Sequence, residues 1–165
     1  MKLSRIIVPI DFSPHSEAAL AWALELSLAS GASVDLIHVV ENPMAAGVWS
    51  SAMYTAEVQG LQINLVRDAT RRLRDFVPKV AGVPCRVRRH VRVGDPAREI
   101  VKFAAERGAN LIVMGTLGRT GLSHLMMGSV AEHVSRSATC PVLTVKSDSA
   151  YAALQQRRNT TKVPA

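Results

Sequence analysis

The sequence predicts an α/β fold, a three-layer arrangement in which an open, twisted, five-stranded parallel sheet carries helices on both faces. Three observations predict it. Short runs dense in β-branched residues alternate along the chain with segments of helical period. Helix-start pairs, Ser13–Pro14 and Asp95–Pro96, stand just after two of those runs. A glycine-rich stretch, IVMGTLGRTGLSHLMMGSV at 112–130, leads from a strand into a helix. At 165 residues the chain is one domain long, enough for a single core.

The elements follow in order. Residues 3–10, LSRIIVPI, end in a run of Ile and Val that reads as a buried strand. The first helix runs from Ser13 and Pro14 to about Ser30, with Leu20, Trp22, Ala23, Leu24 and Leu28 as its apolar surface, and Gly31 ends it. Residues 33–40, SVDLIHVV, are the second strand. Residues 41–60 have no clean period and read as a mobile loop that passes into a helix near 52–58. By 61–77 the helix is plain, with Leu61, Leu65, Val66, Leu73, Phe76 and Val77 as its stripe and Pro78 as its stop.

Residues 84–93 alternate: Cys85, Val87, Arg89, Val91 and Val93 on one face, Arg86, Arg88, His90 and Arg92 on the other. That pattern is a half-exposed strand at a sheet edge. A compact helix follows, capped by Asp95 and ended by Gly108, with Ala97, Ile100, Val101 and Ala104 as its buried face. NLIVMG at 110–115 is the fourth strand, 128–137 a helix, and PVLTV at 141–145 the fifth strand. The polar residues 147–165 lie beyond the domain, which spans 1–146, and read as a frayed tail.

Composition narrows the function classes. No apolar run approaches the roughly 20 residues that a membrane span needs. The first residues lack a signal-peptide pattern, so a cytoplasmic protein is expected. Cys85 and Cys140 belong to no metal-type cluster and read as buried thiols, with a catalytic role as the alternative. The net charge is +7, of which +3 falls from Lys146 onward, leaving +4 on the rest. Arg67, Arg71, Arg72 and Arg74 follow helical spacing and read as a solvated face. Aromatic residues make up only 4% of the chain, too few for base-stacking platforms, so a nucleic-acid partner is not expected.

The glycine segment carries the chemistry. Gly115 and Gly118 can turn the chain and expose N–H groups, while Gly128 and Ser129 stand at a helix N-terminus. Ser129 adds a hydroxyl and Arg119 a charge, a set suited to phosphate; a long ligand-free connection is the alternative. The G-x-x-x-x-G-K-[ST] phosphate loop is absent, and no G-x-G-x-x-G follows the first strand. That turn offers Asp11 instead, which would repel phosphate but suits a ribose hydroxyl or an adenine amino group, unless it only caps the helix. His124 either faces the phosphates or solvent, and His38 reads as a packed strand histidine.

IIVPIDFS, LIHVVE, GDPAREIVKFAAERGANLIVMGTLGRTGL and MMGSVAEHVSRSATCPVLTV together resemble the universal stress protein family over about 3–146. The spacing Gly115-x2-Gly118-x9-Gly128-Ser129 is similar to that family's ATP-binding pattern, G-x2-G-x9-G-[ST]. The resemblance implies strand order 3-2-1-4-5, an adenine nucleotide alpha hydrolase-like fold, and a homodimer paired through 141–145. It implies that Pro9, Ile10, Asp11 and Val39 meet adenosine and that Met114 and Gly115 lie by adenine and ribose. It places Gly118, Arg119, Gly128, Ser129 and Val130 around the phosphates. The ligand implied is ATP, with AMP or ADP as smaller forms and Mg²⁺ as a companion ion, in a stress-response or regulatory role toward a protein partner. One departure is Leu117, where many members carry His. A slow ATPase and an interaction module independent of nucleotide are the competing readings; the H-x-G-H and S-G-G-x-D-S signatures of adenylate-transferring relatives are absent.

Overall fold

The computed structural model describes residues 2–41, 56–76, 87–116 and 127–146. Strands β1 (Arg5–Pro9), β2 (Ser33–Val40), β3 (Val87–Val93), β4 (Leu111–Gly115) and β5 (Val142–Val145) form one sheet of order β3-β2-β1-β4-β5. Every pairing is parallel, with Ile6 beside Val34 and Leu111, Asp35 beside Arg88, and Ile112 beside Val142. The helices are α1 (Pro14–Ser30), α2 (Ala56–Phe76), α3 (Pro96–Glu106) and α4 (Ser129–Ser137). Element order and strand order are those predicted.

The local signals explain the boundaries. The Ser13 side chain accepts the Ser16 N–H at the start of α1, with Pro14 in the first turn. Gly31 closes the helix at φ 73°, its N–H on the Ser27 carbonyl. The Asp95 side chain accepts the Arg98 N–H at the start of α3.

The alternation of each strand splits the core in two. Ile6, Val8, Val34, Leu36 and Val113 pack on the α1 side with Ala19, Leu20 and Ala23, and Leu73 of α2 joins them. Ile7, Ile37, Ile112 and Met114 pack on the other face with Ile100, Phe103, Ala131 and Val134 of α3 and α4. Both faces of the sheet are thus covered, as a parallel sheet requires.

Several side chains depart from expectation. Leu61 and Leu65 of α2 are 52% and 39% exposed, whereas Leu73 is buried. A 21-residue helix is roughly 32 Å long, and the seven-residue β3 beneath it about 23 Å. The helix outruns its strand by about 9 Å, some six residues, which accounts for Leu61 near its start but not for Leu65. Leu28 near the end of α1 is also exposed. On α3 the buried face centres on Phe103, with Val101 only partly buried. Arg72 is not simply solvated, since its guanidinium stands 4.1 Å from the Phe12 ring.

β3 is an edge strand, but its basic face has a partner. Asp35 of β2 is fully buried and draws Arg5 (3.6 Å), Arg88 (3.7 Å), His90 (3.4 Å) and Arg107 (3.4 Å) around it. His90 also packs its ring 4.8 Å from that of Phe103, and Arg92 pairs with Glu106 at 2.7 Å. The readings placed on 42–55, 77–86, 117–126 and 147–165, including the mobile loop, Cys85, His124 and the tail, lie outside the described residues.

Candidate functional site

The order β3-β2-β1-β4-β5 reverses direction between β1 and β4. Ligand crevices in open α/β sheets lie beyond the carboxyl ends of the strands at such a point. A cavity of about 280 Å³ opens there. Its floor is made by the ends of three strands and the residues just beyond them: Pro9 of β1 with Ile10 and Asp11, Ile37 to Val39 of β2, and Met114 and Gly115 of β4 with Thr116. Gly128 to Ala131 at the start of α4 form one wall, Pro96 and Ile100 of α3 another, and Ser16 and Glu41 complete it.

Pro9, Ile10, Asp11, Val39, Met114, Gly115, Gly128, Ser129 and Val130 therefore share one cavity. Gly118 and Arg119 lie outside the described residues. Ser16, Glu41, Pro96, Ile100, Thr116 and Ala131 line it too, although nothing in the sequence singled them out for a site. Ser16, Pro96, Ile100 and Ala131 reach it because α1, α3 and α4 meet this end of the sheet, while Glu41 and Thr116 directly follow β2 and β4.

Asp11 is held by its own turn. Its Oδ1 accepts the Ser13 N–H at 3.0 Å and the Ser13 hydroxyl at 2.6 Å. Oδ2 receives no hydrogen bond from the described residues. Asp11 thus offers one acceptor beyond the bonds it makes at home, and it also braces the start of α1. His38 packs its ring 4.5 Å from Phe12, and its Nδ1 donates to the Ile10 carbonyl at 2.6 Å. Since a carbonyl only accepts, Nδ1 carries the proton.

At the start of α4, the first helical bond runs from the Glu132 N–H to the Gly128 carbonyl. The N–H groups of Ser129, Val130 and Ala131 precede it, so they have no intrahelical acceptor among the described residues and carry the positive end of the helix dipole. No side chain caps this helix. Gly128 does not join that donor set, because its N–H is committed to the Thr116 carbonyl at 2.8 Å. That bond brings the end of β4 and the start of α4 together.

Gly115 has a packing reason of its own. A Cβ there would lie 2.7 Å from the His15 Cβ and 3.0 Å from the His15 carbonyl carbon. The glycine lets the first turn of α1 sit against the end of β4, beside whatever it grants a ligand.

The arrangement as a whole is an open α/β domain with an anion-favouring helix terminus and a carboxylate facing one crevice at the strand reversal. The chain matches the Universal stress protein family over residues 2–146 and belongs to that family. It is 35% identical over 147 residues to Universal stress protein MJ0531 of Methanocaldococcus jannaschii, covering 86% of this chain and 81% of that one. It is 31% identical over 146 residues to Universal stress protein YxiE of Bacillus subtilis, covering 87% and 99% respectively. The solved structure of MJ0577 superposes with a TM-score of 0.76 at 29% identity, covering 88% of this chain and 97% of that one. A universal stress protein from Archaeoglobus fulgidus, solved in complex with dAMP, superposes at 0.62 with 26% identity and covers 88% and 100%. Among the described residues no helix is long and apolar enough to cross a membrane.

Proposed function

We propose that this chain binds an adenine nucleotide in the β1–β4 crevice and acts as a nucleotide-dependent regulatory protein of the stress response. ATP is the principal ligand, and AMP and ADP are smaller members of the same class. The observation that carries the reading is that Asp11 and the α4 N-terminus line one cavity. A carboxylate with a free acceptor suits an amino or hydroxyl donor of adenosine, and unpaired helix N–H groups suit phosphate oxygens. The apolar floor of Ile37, Val39 and Met114 suits the face of a base. The relative solved with dAMP supports the same ligand class.

On this reading Pro9, Ile10, Asp11, Val39, Met114 and Gly115 meet the nucleoside. Ser129 and Val130 meet the phosphates, with Gly118 and Arg119 completing that end and Gly128 holding the helix in place. Among the described residues no group of three or more His, Cys, Asp or Glu gathers as a metal site. Mg²⁺ would therefore enter with the phosphates, with Asp11 and Glu41 as the cavity carboxylates within the described residues. It would neutralise phosphate charge that these two carboxylates otherwise oppose.

The functional unit is a cytoplasmic homodimer of the 1–146 domain, paired through the edge strand at 141–145, with 147–165 as a separate tail. Leu143, 38% exposed on that edge strand, is apolar surface that such pairing would cover. The test is mass spectrometry of small molecules that co-purify, followed by titration with ATP, ADP and AMP. Bound adenine nucleotide, or affinity in the micromolar range, is expected. No co-purified nucleotide and no binding below about 1 mM, roughly −4 kcal/mol, would overturn the reading.

A further inference from the structure

The turn between β1 and α1 contains an unusual backbone. Phe12 has φ 65°, and among the described residues no other non-glycine residue has a positive φ. A bulky L-residue occupies that region only where its surroundings hold it there. The surroundings of Phe12 are specific. Its ring lies 4.5 Å from that of His38 and 5.4 Å edge-on from that of Phe76, and the Arg72 guanidinium covers it at 4.1 Å. The backbone before it is pinned as well: the Ile10 carbonyl accepts from His38 and the Ile10 N–H donates to the Ile37 carbonyl at 2.8 Å.

The consequence falls on Asp11. The left-handed residue folds Ser13 back, so that its N–H and hydroxyl both meet Asp11 Oδ1. One carboxylate oxygen is thereby fixed, and with it the direction of the other. We propose that Phe12 is a positioning residue of the nucleotide site: its ring, clasped by His38, Phe76 and Arg72, holds the turn that aims Asp11. It thereby sets how strictly the site discriminates the adenosine group that Asp11 reads. This rests on the nucleotide reading given above. It also gives α2 a part in selectivity, since Arg72 and Phe76 belong to that helix and neither lines the cavity.

The experiment uses the full chain and the variants Phe12→Gly, Phe12→Leu, Arg72→Gln and Asp11→Asn. Glycine adopts a positive φ freely, so Phe12→Gly tolerates the turn but loses the clasp. Arg72 is exposed, so Arg72→Gln leaves the core intact. Two readouts are taken. The first is amide hydrogen exchange at Ser13 without ligand, with Ile7 as a core reference. The second is the ratio of dissociation constants for AMP against 2′-deoxy-AMP and against IMP. The ratio that collapses in Asp11→Asn identifies the group Asp11 reads.

Exchange at Ser13 about tenfold faster is expected in both Phe12 variants, with a smaller change in Arg72→Gln and none at Ile7. The Asp11-dependent ratio should fall about fivefold, the size of one hydrogen bond. Unchanged exchange at Ser13 would overturn the clasp. Faster exchange with an unchanged ratio would overturn the selectivity role and leave Phe12 a purely structural residue. A wild-type chain that binds none of the nucleotides would remove the nucleotide reading and the selectivity role with it, while the exchange data still decide whether the clasp exists.

Discussion

Gly115 at the end of β4 and His15 in the first turn of α1 are packed so closely that a Cβ on the glycine would fall 2.7 Å from the His15 Cβ. Real Cβ atoms do not approach that near, and two of the three nearest atoms are His15 backbone, which cannot rotate away. Gly115→Ala should therefore cost about 1–3 kcal/mol of stability, the range for overpacking a close contact. Urea unfolding measures it. Adding His15→Gly should restore only part of the loss, because the His15 carbonyl carbon remains 3.0 Å away. An alanine variant as stable as the parent would show that the two elements move apart at little cost.

Asp35 gives a second prediction. Its carboxylate is fully buried, while the side chains of Arg5, Arg88 and Arg107 keep 34%, 43% and 30% exposure. Asp35→Asn keeps the shape and removes the charge that holds these cations together. Removing one partner of a buried ion pair typically costs about 3–5 kcal/mol. Here the arginines can turn toward water, so about 1–3 kcal/mol is expected. What remains in the variant is repulsion among like charges, which salt screens. The stability difference between parent and variant should shrink between 0.1 and 1 M NaCl, on the order of a threefold change in Debye length. A salt-independent difference would count against an electrostatic origin.

Cys140, expected to be a buried thiol, is only partly buried: it precedes β5 and packs at the border of the α3–α4 core. Burial raises its thiol pKa, and a backbone hydrogen bond offsets part of that rise. The thiolate is the reactive form, so alkylation at pH 8 should be slower at Cys140 in the folded chain than in the urea-unfolded chain. Peptide mapping separates it from Cys85. The sign for stability follows. With the folded pKa above the unfolded one, this contribution is fully present below the unfolded pKa and is lost as pH rises through the folded pKa. Folded-state labelling as fast as in urea would contradict even this partial burial.

Much of this architecture was legible because the signals are local. Ser13–Pro14, Gly31 and Asp95–Pro96 mark helix ends through bonds made within a few residues. The strands show as β-branched runs because both faces of the sheet are covered. What escaped depends on distant partners. Asp35 sits in an apolar strand, and its cations come from β1, β3 and the end of α3. Gly115 reads as a ligand-binding glycine, and its second job, making room for α1 a hundred positions earlier, shows only in the packing. The exposure of Leu61 depends on how far α2 outruns β3, which a periodic stripe does not encode. Gly128, read with Ser129 as standing at a helix N-terminus, spends its N–H on the Thr116 carbonyl.

That last bond leaves Ser129 as the first donor of α4 able to meet a phosphate, and two substitutions separate its hydroxyl from its N–H. Ser129→Ala removes only the hydroxyl and should weaken ATP binding about fivefold. Ser129→Pro removes the N–H as well. Proline is favoured at the first helical position, and Gly128 before it has φ −62° and ψ 147°, the extended conformation that a residue preceding proline prefers. The helix should therefore remain as stable as in the parent, which thermal unfolding checks. A hydrogen bond from this N–H to a charged phosphate oxygen is worth more than one to a neutral group, so Ser129→Pro should bind ATP roughly tenfold more weakly than Ser129→Ala. If the two variants bind alike, the α4 terminus does not donate to the nucleotide through Ser129, and the phosphate contacts must lie elsewhere along the crevice.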